Sequence, residues 1–268
     1  MKRMIGIVGL GYVGTLVRNF YGDRHHVFCY DPKFKCHTQE EINNCEIVYV
    51  CVPTDPKEDG SCNTDIVEKT VEWIEAPIIV IKSTVEPGTT ERLRQKTGKN
   101  IVFCPEYAGE SSYWTPYKFH TELKETPFFI FGGEKEVCET LIEIYQEIAG
   151  PTKTYRITDS TTAELVKYLT NCFYATKVGF CNEMYDLAQR IGVSWTELRE
   201  LWVLDPRLNP MHTLVFPDKR GFGGKCFPKD TEALLAFSKK MESPLTILDS
   251  VIQSNKRIRK EQLKDILS

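Results

Sequence analysis

The chain has 268 residues, 41% of them hydrophobic and 26% charged, with a formal net charge of -3. With a mean hydropathy of -0.30 and a pI near 6.0, these values describe an ordinary globular protein, long enough for one large domain or two of usual size. They exclude a membrane-spanning protein, because the longest apolar runs, such as Ile78–Ile81, are far too short for a bilayer, and they argue against a dedicated nucleic-acid or membrane-surface binder, because Lys and Arg are scattered through an acidic chain.

Met1-Lys2-Arg3 leads straight into a strand-like segment, Met4–Val8, without the apolar core and cleavage site of an export signal, so a cytoplasmic chain is expected. Further β-rich runs follow at Val27–Tyr30, Ile47–Val52, Ile78–Ile81, Ile101–Cys104 and Phe128–Phe131, and the segments 12–21, 65–74, 89–95 and 134–148 between them carry helical spacing. That alternation predicts an α/β fold in which a doubly wound parallel sheet of Rossmann type occupies residues 1–157. From Ser160 the pattern becomes helical. A long helix is expected to about Ile191, capped by Thr158-Asp159-Ser160 and stopped by Gly192, and a second over Trp195–Trp202. A loop rich in Pro, Gly and Asp then runs from Asp205 to Gly224, and two closing helices are separated by Ser243-Pro244. Residues 158–268 thus read as an all-helical domain. Leu245, Leu248, Ile252 and Ile258 form one stripe on the last helix, for which a partner subunit is one candidate cover. The 10 cysteines include no Cys-x-x-Cys pair, and most read as reduced core thiols rather than disulfides or metal ligands.

Gly9-Leu10-Gly11-Tyr12-Val13-Gly14 follows the first strand and opens a helix, the context of a dinucleotide fingerprint. Gly9 permits the turn, Gly11 lets backbone approach a pyrophosphate at the positive helix end, and Gly14 lets helix and strand pack closely. Asp31 ends the second strand about 20 residues on, where a carboxylate accepts from the ribose hydroxyls and favours NAD over NADP. Lys35 is a further neighbour of the ribose. Thr54 and Thr84 end strands on the carboxyl side, where they face the nicotinamide half or cap the next helix.

Three segments carry reactive residue types. In Gly221-Phe222-Gly223-Gly224-Lys225-Cys226-Phe227-Pro228-Lys229-Asp230, glycines clear the space around a cysteine just before a helix, and helix amino termini and lysines favour a nucleophilic thiolate. Glu164, Lys167 and Asn171 lie on the long helix, Lys167 and Asn171 on one face. Pro105-Glu106-Tyr107-Ala108-Gly109-Glu110-Ser111 follows the fifth strand.

These strings, with Ser83-Thr84-Val85, Pro87-Gly88-Thr89-Thr90 and Asp205-Pro206-Arg207 in the same order, resemble the nucleotide-sugar 6-dehydrogenase family over about residues 4–258, and the string from Gly223 to Asp230 is most similar to its UDP-glucose branch. The resemblance implies an NAD-binding Rossmann domain and a central helical domain that pairs two subunits across its long helix. It implies a four-electron oxidation of a sugar C6 alcohol to a carboxylate through a Cys226 thiohemiacetal and thioester. Lys167 and Asn171 would then stabilise the C6 oxyanion, Asp230 and Thr84 would handle the water of proton transfer, and Glu106 would be the base for thioester hydrolysis. Glu106, Glu110, Lys167, Asn171, His212 and Gly223 would hold the UDP-sugar, joined by Arg207 of a neighbouring subunit, and Glu110 and Lys229 would lie near NAD. No metal is implied. Ala108-Gly109 stands where Leu-Arg is usual in the family, and Thr213 follows His212 where Tyr is common. The family's third domain, about 100 residues or more, is expected to be missing, leaving the substrate side uncovered. Open alternatives are a GDP-mannose or UDP-N-acetylhexosamine dehydrogenase, a two-electron β-hydroxyacid dehydrogenase, which has no use for Cys226, and a truncated non-catalytic NAD binder.

Overall fold

A computed structural model of the chain describes residues 2–109 and 121–267. It divides into two compact units, residues 1–55 with 63–167 and residues 56–62 with 168–268.

The first unit is built on a seven-stranded sheet: Met4–Val8 (β1), His26–Tyr30 (β2), Ile47–Val50 (β3), Ile78–Ile81 (β4), Ile101–Phe103 (β5), Phe128–Gly132 (β6) and Thr154–Thr158 (β7). Its order is β2-β1-β3-β4-β5-β6-β7. All neighbours are parallel except β5 and β6, which pair antiparallel at Phe103 and Gly132. Strands covered on both faces read as continuous apolar runs, and their side chains alternate between two cores. Ile5, Ile7, Tyr49, Val80 and Val102 pack with Val17, Phe20 and Tyr21 of α1 (Tyr12–Tyr21) and Leu141, Ile144 and Tyr145 of α5 (Lys135–Ala149). Val48, Val50, Ile79, Ile81 and Phe103 pack on the other face with Val67 and Val71 of α3 (Asp65–Trp73) and Leu93 of α4 (Thr89–Thr97). Each fully buried aliphatic side chain contributes about 1.5–3 kcal/mol, so the sheet centre is the stable platform of this unit.

The third and fifth strands stop short of the expected ends, at Val50 and Phe103, ahead of Pro53 and Pro105, whose missing N–H cannot join a ladder. Three short elements lie outside the expected ones, the third a single 3-10 turn at Leu123–Glu125. β7 is a half-exposed edge strand, and the five-residue α2 (Gln39–Asn43) is held by a capping box between Thr38 and Glu41.

Helix α6 (Ser160–Arg190) starts in the first unit and continues through the second. Asp159 caps it, accepting from the Thr162 N–H at 2.8 Å. In the second unit Tyr168 and Cys172 of α6 bury against Ala233 and Leu234 of α8 (Phe227–Lys240), Leu248 and Ile252 of α9 (Thr246–Leu267), and Cys62. The last-helix stripe is therefore covered in large part by its own unit: Leu245, Leu248 and Ile252 pack into this cluster. Cys181, Ala188 and Trp195 form a smaller cluster joining α6 to α7 (Trp195–Trp202). No described helix is long and apolar enough to cross a membrane.

Candidate functional site

In the first unit the glycine turn has the geometry that its sequence demands. Gly9 has φ +93°, and a Cβ there would lie 2.5 Å from the Cys51 carbonyl oxygen. A Cβ on Gly14 would lie 1.9 Å from the Gly9 carbonyl oxygen. Gly11 differs, because nothing lies within 4 Å of its Cβ position. It is the N-cap of α1 with no side chain capping the first turn, so of the three glycines in this turn the one with open space stands where backbone N–H groups meet an anion. That cradle fits a dinucleotide pyrophosphate. Val13 packs partly into the core behind it, and the Tyr12 hydroxyl donates to the Gly109 carbonyl at 2.8 Å.

Asp31 closes the turn from the end of β2, with one oxygen accepting from the Leu10 N–H at 2.8 Å and the other from the Lys33 N–H at 2.9 Å. Each carboxylate oxygen has a second lone pair, so both retain capacity for a ribose hydroxyl. Lys35 lies on an exposed loop. Thr54 is buried and Thr84 half-buried, and neither caps a helix: Thr64 precedes α3 and Gly88 precedes α4.

Beyond β5, Glu106 is buried. Its Oε1 accepts from the N–H groups of Tyr107 and Ala108 at 2.8 and 2.9 Å, and its Oε2 faces the Lys82 ammonium at 3.3 Å. The Lys167 ammonium donates to the Glu106 carbonyl and lies 5.3 Å from the centre of the Tyr107 ring. Glu164 is used differently. Fully buried, it accepts from the Gly88 N–H at 2.6 Å, the Thr90 N–H at 2.8 Å and the Thr90 hydroxyl at 2.6 Å, which supplies the cap that the left-handed Gly88 cannot give α4. Burial pushes the Glu164 carboxyl up to about 7, against the opposing pull of those bonds. Glu110 lies outside the described residues.

In the second unit Cys226 is exposed and is the N-cap residue of α8, which starts at Phe227. Anions are stabilised at that helix end. Asp230, one turn into α8, is buried; Asn171 Nδ2 and Lys229 Nζ each donate to its carboxylate, and the Cys172 thiol points to its carbonyl at 3.7 Å. Asn171 and Asp230, from segments 59 residues apart, are thus brought into one buried pair. The loop ahead of Cys226 is pinned on both sides. Asn255 of α9 accepts from the Phe222 N–H at 2.7 Å and donates to the Phe222 carbonyl at 3.0 Å, and Asn182 of α6 accepts from the Gly221 N–H at 3.0 Å. A Cβ on Gly223 would meet the Arg259 guanidinium at 2.9 Å. Arg207 is 87% exposed and engaged bidentately with Asp205, and His212, at φ +64°, stacks on Tyr174 with ring centres 4.2 Å apart. Among the described residues no cluster of His, Cys, Asp or Glu has the makings of a metal site.

The sequence reading missed Lys82. It has no motif of its own, and the only signal is a lysine directly after a wholly apolar strand. Asn255 and Asn182 were likewise invisible until the loop that they hold was placed.

Comparison with known proteins gives these residues a context. Residues 31–149 match the NAD binding domain of the UDP-glucose/GDP-mannose dehydrogenase family and residues 161–257 match its central domain. The chain is 34% identical over 234 residues to a UDP-glucose 6-dehydrogenase of Rickettsia bellii (strain RML369-C), covering 84% of this chain and 52% of that protein. To the UDP-glucose 6-dehydrogenase of Rickettsia typhi (strain ATCC VR-144 / Wilmington) it is 32% identical over 299 residues, covering 94% and 66%. The chain therefore spans between about half and two thirds of the length of these curated relatives. A UDP-glucose dehydrogenase structure from the hyperthermophilic archaeon Pyrobaculum islandicum superposes with a TM-score of 0.82 at 25% identity, over 96% of this chain and 68% of that one. With the family's NAD binding and central domains matched in succession, the chain belongs to the UDP-glucose/GDP-mannose dehydrogenase family.

Proposed function

We propose that the chain catalyses the NAD-dependent four-electron oxidation of UDP-glucose to UDP-glucuronate. The observation that carries this reading is Cys226, whose exposed thiol stands on the N-cap residue of α8 after a glycine loop, one turn ahead of the buried Asp230 held by Asn171. A two-electron alcohol oxidation needs no such nucleophile; a reaction that carries an aldehyde on to a carboxylate does.

Gly9, Gly11, Tyr12, Val13, Gly14, Asp31, Lys35, Thr54, Thr84, Glu110 and Lys229 are assigned to hold NAD, which when bound supplies the hydride acceptor. Cys226 attacks the C6 aldehyde to give a thiohemiacetal, whose oxidation leaves a thioester. Lys167 and Asn171 stabilise negative charge on the C6 oxygen by ammonium and amide donation. Asp230 and Thr84 order the water that receives the alcohol proton. Glu106 takes a proton from the hydrolytic water as its oxygen adds to the thioester carbonyl and the Cys226 thiolate leaves. Glu106, Glu110, Lys167, Asn171, His212 and Gly223 hold the nucleotide sugar, with Arg207 reaching it from a second subunit.

A homodimer is part of this reading. Leu165, Leu169, Phe173, Phe180 and Leu187 are exposed on α6, and at 100° per residue they fall on one narrow stripe that a second copy of the helix fits. The reading assigns the chain to the cytoplasm, where a catalytic thiol stays reduced.

The test is an anaerobic count of NADH formed per sugar consumed with UDP-glucose, GDP-mannose and UDP-GlcNAc. Two NADH per UDP-glucose are expected, and Cys226→Ser should lose steady-state turnover while still binding NAD. A ratio of one, or undiminished turnover in Cys226→Ser, would exclude the covalent route, and no NADH from any sugar would exclude the activity.

A further inference from the structure

Lys82 has no role in the proposed reaction, yet it is a lysine buried in the sheet unit. It follows β4 directly, its side chain is 0% exposed, and its ammonium lies 3.3 Å from both Glu106 Oε2 and Cys104 Sγ. Withdrawing an ammonium and a carboxylate from water costs several kcal/mol each, and exchanging a buried ion pair for apolar side chains is often neutral or stabilising. Stability alone therefore gives no reason for the pair. Its position does, because its acid partner is the carboxylate assigned to hydrolysis.

The surroundings of Glu106 show what Lys82 supplies. The Tyr107 and Ala108 N–H groups and Lys82 contact the carboxylate, the Cys51 and Cys104 thiols just past β3 and β5 and the Tyr145 phenol of α5 are near enough to feel its charge, and Lys167 of α6 donates to the Glu106 carbonyl. Burial works against the Lys82 ammonium, and the Glu106 carboxylate beside it favours the charged form. Burial also raises the Cys51 and Cys104 thiols, keeping both neutral, so the charge that answers Lys82 is that of Glu106. Without Lys82, desolvation would favour the neutral acid, which cannot accept a proton from water. Geometry points the same way. Two backbone N–H groups hold Oε1 and the ammonium holds Oε2, so the carboxylate is fixed by donors at both ends.

We propose that Lys82 is a positioning residue for the hydrolytic step, the buried counter-ion that keeps Glu106 ionised and its carboxylate fixed. This rests on the assignment of Glu106 as the base, and the experiment separates the two. In the full-length chain carrying 13C-carboxyl glutamate, the Glu106 resonance is identified by its loss in Glu106→Gln and titrated in wild type, Lys82→Met and Lys82→Arg, with NAD binding as the check on folding. Glu106 should be a carboxylate at pH 7 in wild type and in Lys82→Arg, and should titrate at least one pH unit higher in Lys82→Met, a tenfold gain in proton affinity. Rapid-quench assays with UDP-glucose and NAD should show an undiminished burst of NADH in Lys82→Met, then a steady rate at pH 7 at least tenfold below wild type that recovers as pH rises. An unchanged Glu106 midpoint in Lys82→Met overturns the proposal. If Lys82→Met does not bind NAD, wild type decides: a protonated Glu106 at pH 7 overturns the proposal and a carboxylate supports it. A shifted midpoint with an unchanged hydrolytic phase would instead show that Glu106 is not the base, and a wild type silent on every sugar would remove the activity while the titration still judged Lys82.

Discussion

Two glycines three residues apart in the cofactor turn should fail in opposite ways when each is replaced by alanine. A Cβ on Gly14 would lie 1.9 Å from the Gly9 carbonyl oxygen and 3.4 Å from Cys51 Cβ, so α1 must lift off the sheet by about 1 Å or the Gly9 turn must open. Overpacking of that kind costs about 1–3 kcal/mol, less the roughly 0.5–1 kcal/mol that alanine regains over glycine inside a helix. The expected net loss in Gly14→Ala is about 1–2 kcal/mol, a fall in Tm of roughly 2–8 °C for a chain of this size. Gly11→Ala meets no atom within 4 Å and keeps an ordinary φ of -69°, so it should cost stability no more than about 0.5–1 kcal/mol, the price of a poorer N-cap. Its methyl group instead enters the space assigned to the pyrophosphate, and NAD affinity should fall at least tenfold, about 1.4 kcal/mol. Urea unfolding and NAD titration by fluorescence, run on the same preparations, check both arms. Wild-type NAD affinity in Gly11→Ala, or a stability loss as large as that of Gly14→Ala, would refute the reasoning.

The raised Glu164 carboxyl makes a pH prediction. Because the folded chain binds this proton more tightly than the unfolded one, the stability linked to it is full below about pH 4.5 and is lost as pH rises through about 7. The span corresponds to about 3 kcal/mol, and denaturant midpoints measured from pH 4.5 to 8 should show a decline that Glu164→Gln abolishes; a parallel decline in the variant would assign it elsewhere. Asn255→Ala should strand the buried N–H and C=O of Phe222, costing about 1–3 kcal/mol for each group left unsatisfied, and should lower turnover more than NAD affinity; kinetics and NAD titration together expose a variant that is merely unfolded. Phe173→Asp on the exposed α6 stripe should convert a dimer to monomer in analytical ultracentrifugation, and an unchanged sedimentation coefficient would remove α6 from the interface.

The apolar runs announced β1, β3, β4 and β5 because a strand covered on both sides by helices must be apolar throughout. Thr154-Tyr155-Arg156-Ile157-Thr158 carries no such signal, since an edge strand with one partner keeps polar and exposed positions. The antiparallel β5–β6 pairing could not be read either, because strand direction depends on how a connection re-enters the sheet and leaves no local trace. The site divides in the same way. Gly9 and Gly14 are legible because their backbone surroundings dictate the residue, and Cys226 because of the glycine string before it, whereas Asn171, Lys82 and Gly88, which meet Asp230, Glu106 and Glu164, lie 24 to 76 residues from them and appear only once tertiary packing places them.

The distribution of thiols has a practical consequence. Cys36 and Cys226 are exposed, Cys51 is half-buried and the other seven are buried, and burial pushes Cys45, Cys138 and Cys172 up to about 12. Toward an alkylating reagent at neutral pH the folded chain therefore behaves as a two-cysteine protein, and the denatured chain as a ten-cysteine one. Brief labelling followed by intact mass thus reports folding as a change in stoichiometry, and a Cys36→Ser background leaves Cys226 as a chemoselective handle for a probe or a mechanism-based inactivator.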